Sequence, residues 1–172
     1  NYLDKSTALS QANTKFDSIA TRKIAFLAAD GFKMDDFKQM KSALEAENAV
    51  CMIIAPHGGA IKCDAGMEHP VGASITTTES VLFDAIYIPG GQSSIDALSK
   101  TPKFKKFINE TLKHCKAIAA DNEGEELLDE TYVKDFKDDK AVLINAAPDA
   151  FIKAIAQHRN WDRMKETEGI PV

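Results

Sequence analysis

Short apolar runs, each closed by glycine, proline or a polar residue, dictate what this chain builds. Arg22-Lys23-Ile24-Ala25-Phe26-Leu27-Ala28-Ala29 ends at Asp30-Gly31, and Ala49 to Ala55 ends at Pro56. Phe83 to Ile88 ends at Pro89-Gly90-Gly91, Lys116 to Ala120 ends at Asp121, and Ala141-Val142-Leu143-Ile144 is the last. Runs of this length without polar alternation suit strands buried on both faces, as in a parallel sheet. The intervening segments carry the helical period. Phe37, Met40 and Leu44 share one helix face, and Asp35 and Asp36 at the start of that helix oppose the positive end of its dipole. Thr101 and Pro102 read as N-cap and first helical residue, ahead of a buried face of Phe104, Phe107, Ile108 and Leu112. A further helix carries Leu127 and Leu128, and Pro148 opens a last one through Phe151, Ile152 and Ile155. Strand, helix, strand in this order predicts right-handed βαβ units, hence an α/β sandwich with a mostly parallel central sheet and helices on both faces. Ala60 to Thr78 is mixed and turn-rich, which predicts only minor strands.

The 172 residues are enough for one core. Residues 1–20 are polar and aperiodic and read as a linker or arm, leaving 21–172 as the folded domain. The chain begins Asn1-Tyr2-Leu3-Asp4, without an initiator Met or the apolar core of a signal peptide, so it is expected to be cut from something longer. The net charge of −5 argues against nucleic acid or an anionic membrane surface as partner. Cys51, Cys63 and Cys115 form no CxxC pair, and Cys51 and Cys115 sit among apolar neighbours as expected of buried thiols. The four histidines, His57, His69, His114 and His158, have no ligand spacing, so no metal site is expected.

In open parallel sheets, sites form beyond the carboxyl ends of the strands. Three such ends stand out: Asp30-Gly31-Phe32-Lys33, Pro89-Gly90-Gly91-Gln92 and Ala120-Asp121-Asn122-Glu123. The last has the layout of a nucleophile elbow, a small-residue strand running through a polar turn straight into a helix. Asp121 is the expected turn residue; it is a poor nucleophile for acyl chemistry, and Asp121 or Asn122 serves equally as a helix cap. The amides of Gly90 and Gly91 are candidate oxyanion donors. Gly90, Gly91, Gln92, Asp121 and Asn122 would then line one pocket.

Taken together, these strand ends resemble the PfpI-like family of the class I glutamine-amidotransferase-like superfamily, from about Arg22 to Ile155. The closest likeness is Phe83-Asp84-Ala85-Ile86-Tyr87-Ile88-Pro89-Gly90-Gly91, which looks like the family's FDAL-V-PGG block. The resemblance implies a flavodoxin-like three-layer sandwich. Active members of the family carry Glu after the first Gly-Phe, Cys at the elbow and often His next to it. The matching positions read here are Lys33, Asp121 and Asn122, so thiol-dependent peptidase, deglycase or glyoxalase chemistry is not expected, and the pocket would be vestigial, with no catalytic residue. A Lys33–Asp121 ion pair is the expected replacement for the lost Cys–Glu contact.

One branch of this superfamily is the C-terminal domain of large-subunit catalases, and the degenerate elbow, the polar arm and the closing His158-Arg159-Asn160-Trp161-Asp162-Arg163 look like that branch, its fungal members in particular. The resemblance implies a domain without cofactor of its own, haem and hydrogen peroxide dismutation belonging to the parent enzyme. It implies partners in the parent catalase core and neighbouring subunits, a stabilising role, and holdase-like chaperone activity toward unfolded client proteins. A purely structural docking domain and a residual PfpI-like hydrolase or deglycase are the competing readings.

Overall fold

The computed structural model describes residues 17–171. A six-stranded sheet forms the middle layer: β1 (Lys23–Leu27), β2 (Val50–Ala55), β5 (Ala73–Ser74), β6 (Ala85–Ile88), β7 (Ala117–Ala120) and β8 (Val142–Ile144). Its order is β5-β2-β1-β6-β7-β8, with every pairing parallel. Setting aside the two-residue edge strand β5, this is the 2-1-3-4-5 order of flavodoxin-like folds. A separate antiparallel hairpin, β3 (Ala60–Lys62) with β4 (Glu68–Pro70), accounts for the mixed segment after β2.

Helices α1 (Met34–Ala46) and α5 (Pro148–Ala156) cover one face; α2 (Gln92–Ser99), α3 (Pro102–Lys113) and α4 (Gly124–Asp129) cover the other. Alternation along each strand divides the core between them. From β1, Ile24 and Phe26 join Phe37, Met40, Leu44, Phe151 and Ile155, whereas Ala25 and Leu27 join Phe104, Phe107, Leu112 and Leu127. On β7, Ala117 and Ala119 face the α5 side and Ile118 and Ala120 the other. Thr101 stands at the N-cap of α3 as expected, but its hydroxyl donates to Ala97 O at 3.2 Å and caps nothing. Cys63 and Cys115 are buried, Cys51 is half-buried, and all three are free thiols.

Of the expected arm, residues 1–16 lie outside the described residues. Ile19, assigned to that arm by sequence, is 1% exposed and packs into the α1 side of the core, so the packed domain already includes it. The turn that follows is tied down by Thr21 N donating to Asn48 O at 2.8 Å.

Candidate functional site

All the parallel strands leave the sheet at one edge, which brings the loops after β1, β6, β7 and β8 together. β7 runs into α4 through Asp121-Asn122-Glu123, and the tight-turn residue is Asn122, with φ of 49°. The expectation placed Asp121 there, one residue too early. Asn is the non-glycine residue best suited to left-handed backbone, because its short amide bonds locally at little steric cost. Asn145, in the loop after β8, has φ of 51°, and its side-chain oxygen accepts the Asn122 amide at 2.6 Å. One left-handed asparagine thereby fixes the other.

Neither Asp121 nor Asn122 caps α4 through its side chain. The N-cap residue is Glu123, without a side-chain cap bond, and Asp121 contributes only its main-chain oxygen, which accepts from Gly124 N at 2.9 Å. The Asp121 carboxylate instead accepts from Tyr87 Oη at 2.6 Å. Burial pushes the Asp121 carboxyl above its ordinary pKa and the Asp36 charge adds to this, while the Tyr87 bond and the Lys33 charge pull the other way. Burial and the Asp121 bond drive the Tyr87 phenol far upward, so it stays a neutral donor.

The expected Lys33–Asp121 ion pair does not form; Lys33 reaches the carboxylate only as a nearby charge. The contact that joins the first loop region to the elbow is Asn122 Nδ2 donating to Asp36 Oδ2 at 2.7 Å. Asp36, read by sequence as a helix-dipole residue, is therefore a site residue. Its signal was the acidic pair at the start of α1, but which carboxylate turns inward depends on how α1 packs on the sheet.

The candidate oxyanion donors are already engaged. Gly90 N donates to Asp36 Oδ2 at 3.1 Å and Gly91 N to Glu123 Oε2 at 2.9 Å. The Gly91 bond holds the Glu123 carboxyl below the usual carboxylate range. Both glycines are demanded by this closure. A Cβ on Gly90 would stand 2.7 Å from Glu123 Oε2 and 2.8 Å from Asp36 Oδ2, while Gly91 has φ of +116° and its Cβ would strike Gly31 O. Lys33 N donating to Gly90 O at 2.7 Å straps the first loop to this turn.

The expected pocket is thus divided. Asp121 and Asn122 line an open cavity of about 330 Å³, together with Asp36, Gln39, Asn145 and Pro148. Gly90 and Gly91 lie behind it, under the carboxylates. Gln92 belongs elsewhere, its amide donating to Asp96 and Glu126 at the start of α2. Tyr87 and Asn145 escaped the sequence reading because nothing local marks them: Tyr87 reads as one more strand residue, and Asn145 as an ordinary turn.

Chemically, the site offers an amide where an elbow would present a nucleophile, two carboxylates bonded to neighbours, and a neutral phenol. Among the described residues no group of three or more His, Cys, Asp or Glu is placed to hold a metal ion, and no helix is long and apolar enough to cross a membrane.

Similarity to solved structures follows the fold. Drosophila melanogaster DJ-1beta matches with a TM-score of 0.65 at 14% identity, over 86% of this chain and 95% of that one. Oxidized Toxoplasma gondii DJ-1 matches with a TM-score of 0.63 at 15% identity, over 86% and 96%. In sequence, "Catalase HPII" of Pseudomonas putida is 36% identical over 98% of this chain and 24% of its own length. "Catalase-2" of Bacillus subtilis is 36% identical over 92% and 23%, and "Catalase-1" of Neurospora crassa 29% over 89% and 24%. Bacterial relatives thus match at least as well as this fungal one, so the likeness is not specific to fungi. The chain spans about a quarter of the length of the curated relatives it matches. Residues 20–165 match the family described as the "C-terminal domain found in long catalases", and the chain belongs to that family.

Proposed function

We propose that this chain works as the non-catalytic C-terminal domain of a large-subunit haem catalase, stabilising a parent enzyme that dismutes hydrogen peroxide and holding unfolded client proteins in soluble form. The observation that carries the non-catalytic part is the closure of the old site. The Gly90 and Gly91 amides are bonded to Asp36 and Glu123, so no donor pair is left for an oxyanion, and Asn122 offers no nucleophile. Haem belongs, in this reading, to the preceding core. Haem iron takes an axial His, Cys, Met or Tyr; here Tyr87 is spent on Asp121 and Met40, which lines the cavity, is packed in the core, so the residues here do not suit it.

Support for the holdase part is an acidic chain, net charge −5, that exposes Met67, Tyr132 and Met164 to solvent. An apolar contact on a charged, soluble body suits transient capture of an unfolding chain.

The test is light scattering from a heat-unfolding client enzyme, with this chain or an inert protein of equal mass added. Suppression of aggregation near stoichiometric ratios, absent in the control, is expected. No suppression at any ratio would leave a purely stabilising domain. For the enzymatic part, ester and glyoxal turnover are assayed in the wild type and in Asn122→Ala and Asp121→Ala. Equal background rates are expected; a fall of about a hundredfold or more in either variant would restore the hydrolase or deglycase reading.

A further inference from the structure

The opposite edge of the sheet, where the parallel strands begin, is built differently. The chain reaches β1 there through Ile19 and Thr21. The Ser80–Asp84 turn that feeds β6 is fastened at both ends. Lys116 Nζ donates to Ser80 O at 2.7 Å, and Asp84 accepts Lys23 N at 2.9 Å and Arg22 Nη1 at 3.0 Å. Between these anchors Val81 and Leu82 stand 72% and 59% exposed, the largest exposures among the large apolar side chains described. A pinned turn presenting two adjacent aliphatic side chains to water is costly in isolation, because each forgoes most of the stabilisation that burial returns.

Charged and titratable groups crowd this edge. Arg22, Lys116, Arg159 and His158 gather around Asp84, with Glu110 the next carboxylate, bonded to Ser80 Oγ. Arg159 Nη1 is buried and has no hydrogen-bond partner among the described residues. A buried guanidinium donor left unpaired is expensive, and a carboxylate meets its geometry best. Burial, with Arg159 alongside, lowers the Lys116 pKa to about 8, while Asp84 and Glu110 oppose the shift.

What lies nearest follows from the family. It is C-terminal by description, and its curated relatives are about four times as long. A preceding core would therefore join upstream of Asp17, and the first described residues, through Ile19 and Thr21, lie at this edge. Such a core would be tethered at high effective concentration beside Val81, Leu82 and Arg159. The elbow loops lie a strand length away, on the far edge.

We propose that this strand-start edge is the surface on which the preceding catalase core docks, Val81 and Leu82 packing against apolar side chains of the core and the half-buried Arg159 guanidinium pairing with one of its carboxylates. The proposal rests on the accessory-domain reading given above.

The test uses the full-length parent protein. Val81→Asp with Leu82→Asp, and separately Arg159→Ala, are compared with Met67→Asp, which changes an exposed side chain on the loop of the β3–β4 hairpin. The readout is the rate at which a protease releases the domain from the core, with haem absorbance recorded throughout. Release about tenfold faster in the first two proteins, and unchanged in the third, is expected. In unmutated protein, backbone hydrogen exchange over residues 79–84 should be slower in the full-length protein than in the 172-residue chain, which guards against a variant that merely misfolds. Equal exchange in the two, or unchanged release, overturns the proposal. So does exchange in the 172-residue chain that slows as its concentration rises, since the occupant would then be a second copy. A full-length protein that binds no haem sinks the accessory-domain reading instead, whatever the exchange shows.

Discussion

Asp121 carries the pH signature of the site. Its carboxyl is raised in the folded protein, chiefly by burial. A group whose folded pKa lies above its unfolded value adds stability below the unfolded pKa and loses it as pH rises through the folded one. Asp121→Asn keeps an acceptor for Tyr87 Oη and removes the charge. The variant should therefore gain stability relative to wild type on going from about pH 4 to about pH 7, which thermal melts of both proteins at the two pH values would show. Gly91 permits a sharper test. Its φ of +116° and the approach of Gly31 O leave no room for a methyl group, so Gly91→Ala should cost at least ~2 kcal/mol in a denaturant melt. At this scale the sequence marked the turn after β7 and misplaced the left-handed residue within it. Asp121-Asn122 offered two candidates for one strained turn. The bonds that decide between them run from Asn122 to Asp36 and Asn145, across 86 and 23 positions of sequence. Asparagine's tolerance of left-handed backbone was the local signal that favoured Asn122.

The helices and strands were more legible, because burial writes itself into periodicity. α3 is the strongest instance. Phe104, Phe107, Ile108 and Leu112 fall on one face, and each is at most 2% exposed. Phe107 packs on Phe83 with ring centroids 5.9 Å apart. Phe107→Ala should destabilise the domain by about 3–5 kcal/mol, measurable by chemical denaturation. The two-residue strand β5 and the β3–β4 hairpin were expected only as minor strands without bounds, since segments of two or three residues carry no period. Ile19 was missed for a related reason, as one buried residue in a polar stretch forms no pattern. The start of β7 offers a second pH test. Lys116 is 2% exposed, and its pKa is lowered to about 8 by burial first and Arg159 second. Between that value and the ordinary lysine value of about 10.4, the unfolded chain binds a proton that the folded one does not, so stability rises with pH across this window. Lys116→Met should flatten that rise in melts from about pH 7.5 to 10.

At the scale of the whole molecule, the sheet polarises the domain. Its strand ends carry the candidate site, closed from inside by Asp36, Glu123 and the paired asparagines; its strand starts carry exposed apolar side chains and the half-buried Arg159, whose Nη1 has no partner among the described residues. Stabilisation of a parent enzyme then has a physical route. A docked domain that binds only the folded core shifts its unfolding by mass action, and a covalent tether keeps the local concentration high. The consequence is testable without any assay of this chain alone. On the accessory-domain reading, removing residues 17–172 from the full-length protein should leave catalase turnover per haem close to unchanged at moderate temperature, yet shorten the half-life of activity on heating. Adding salt should narrow the gap between the two proteins, because the Arg159 contact at the rim of the interface is screened while the Val81 and Leu82 contacts are not. A truncated enzyme that survives heating as well as the full-length one, at every salt concentration, would separate this domain from the stability of its parent.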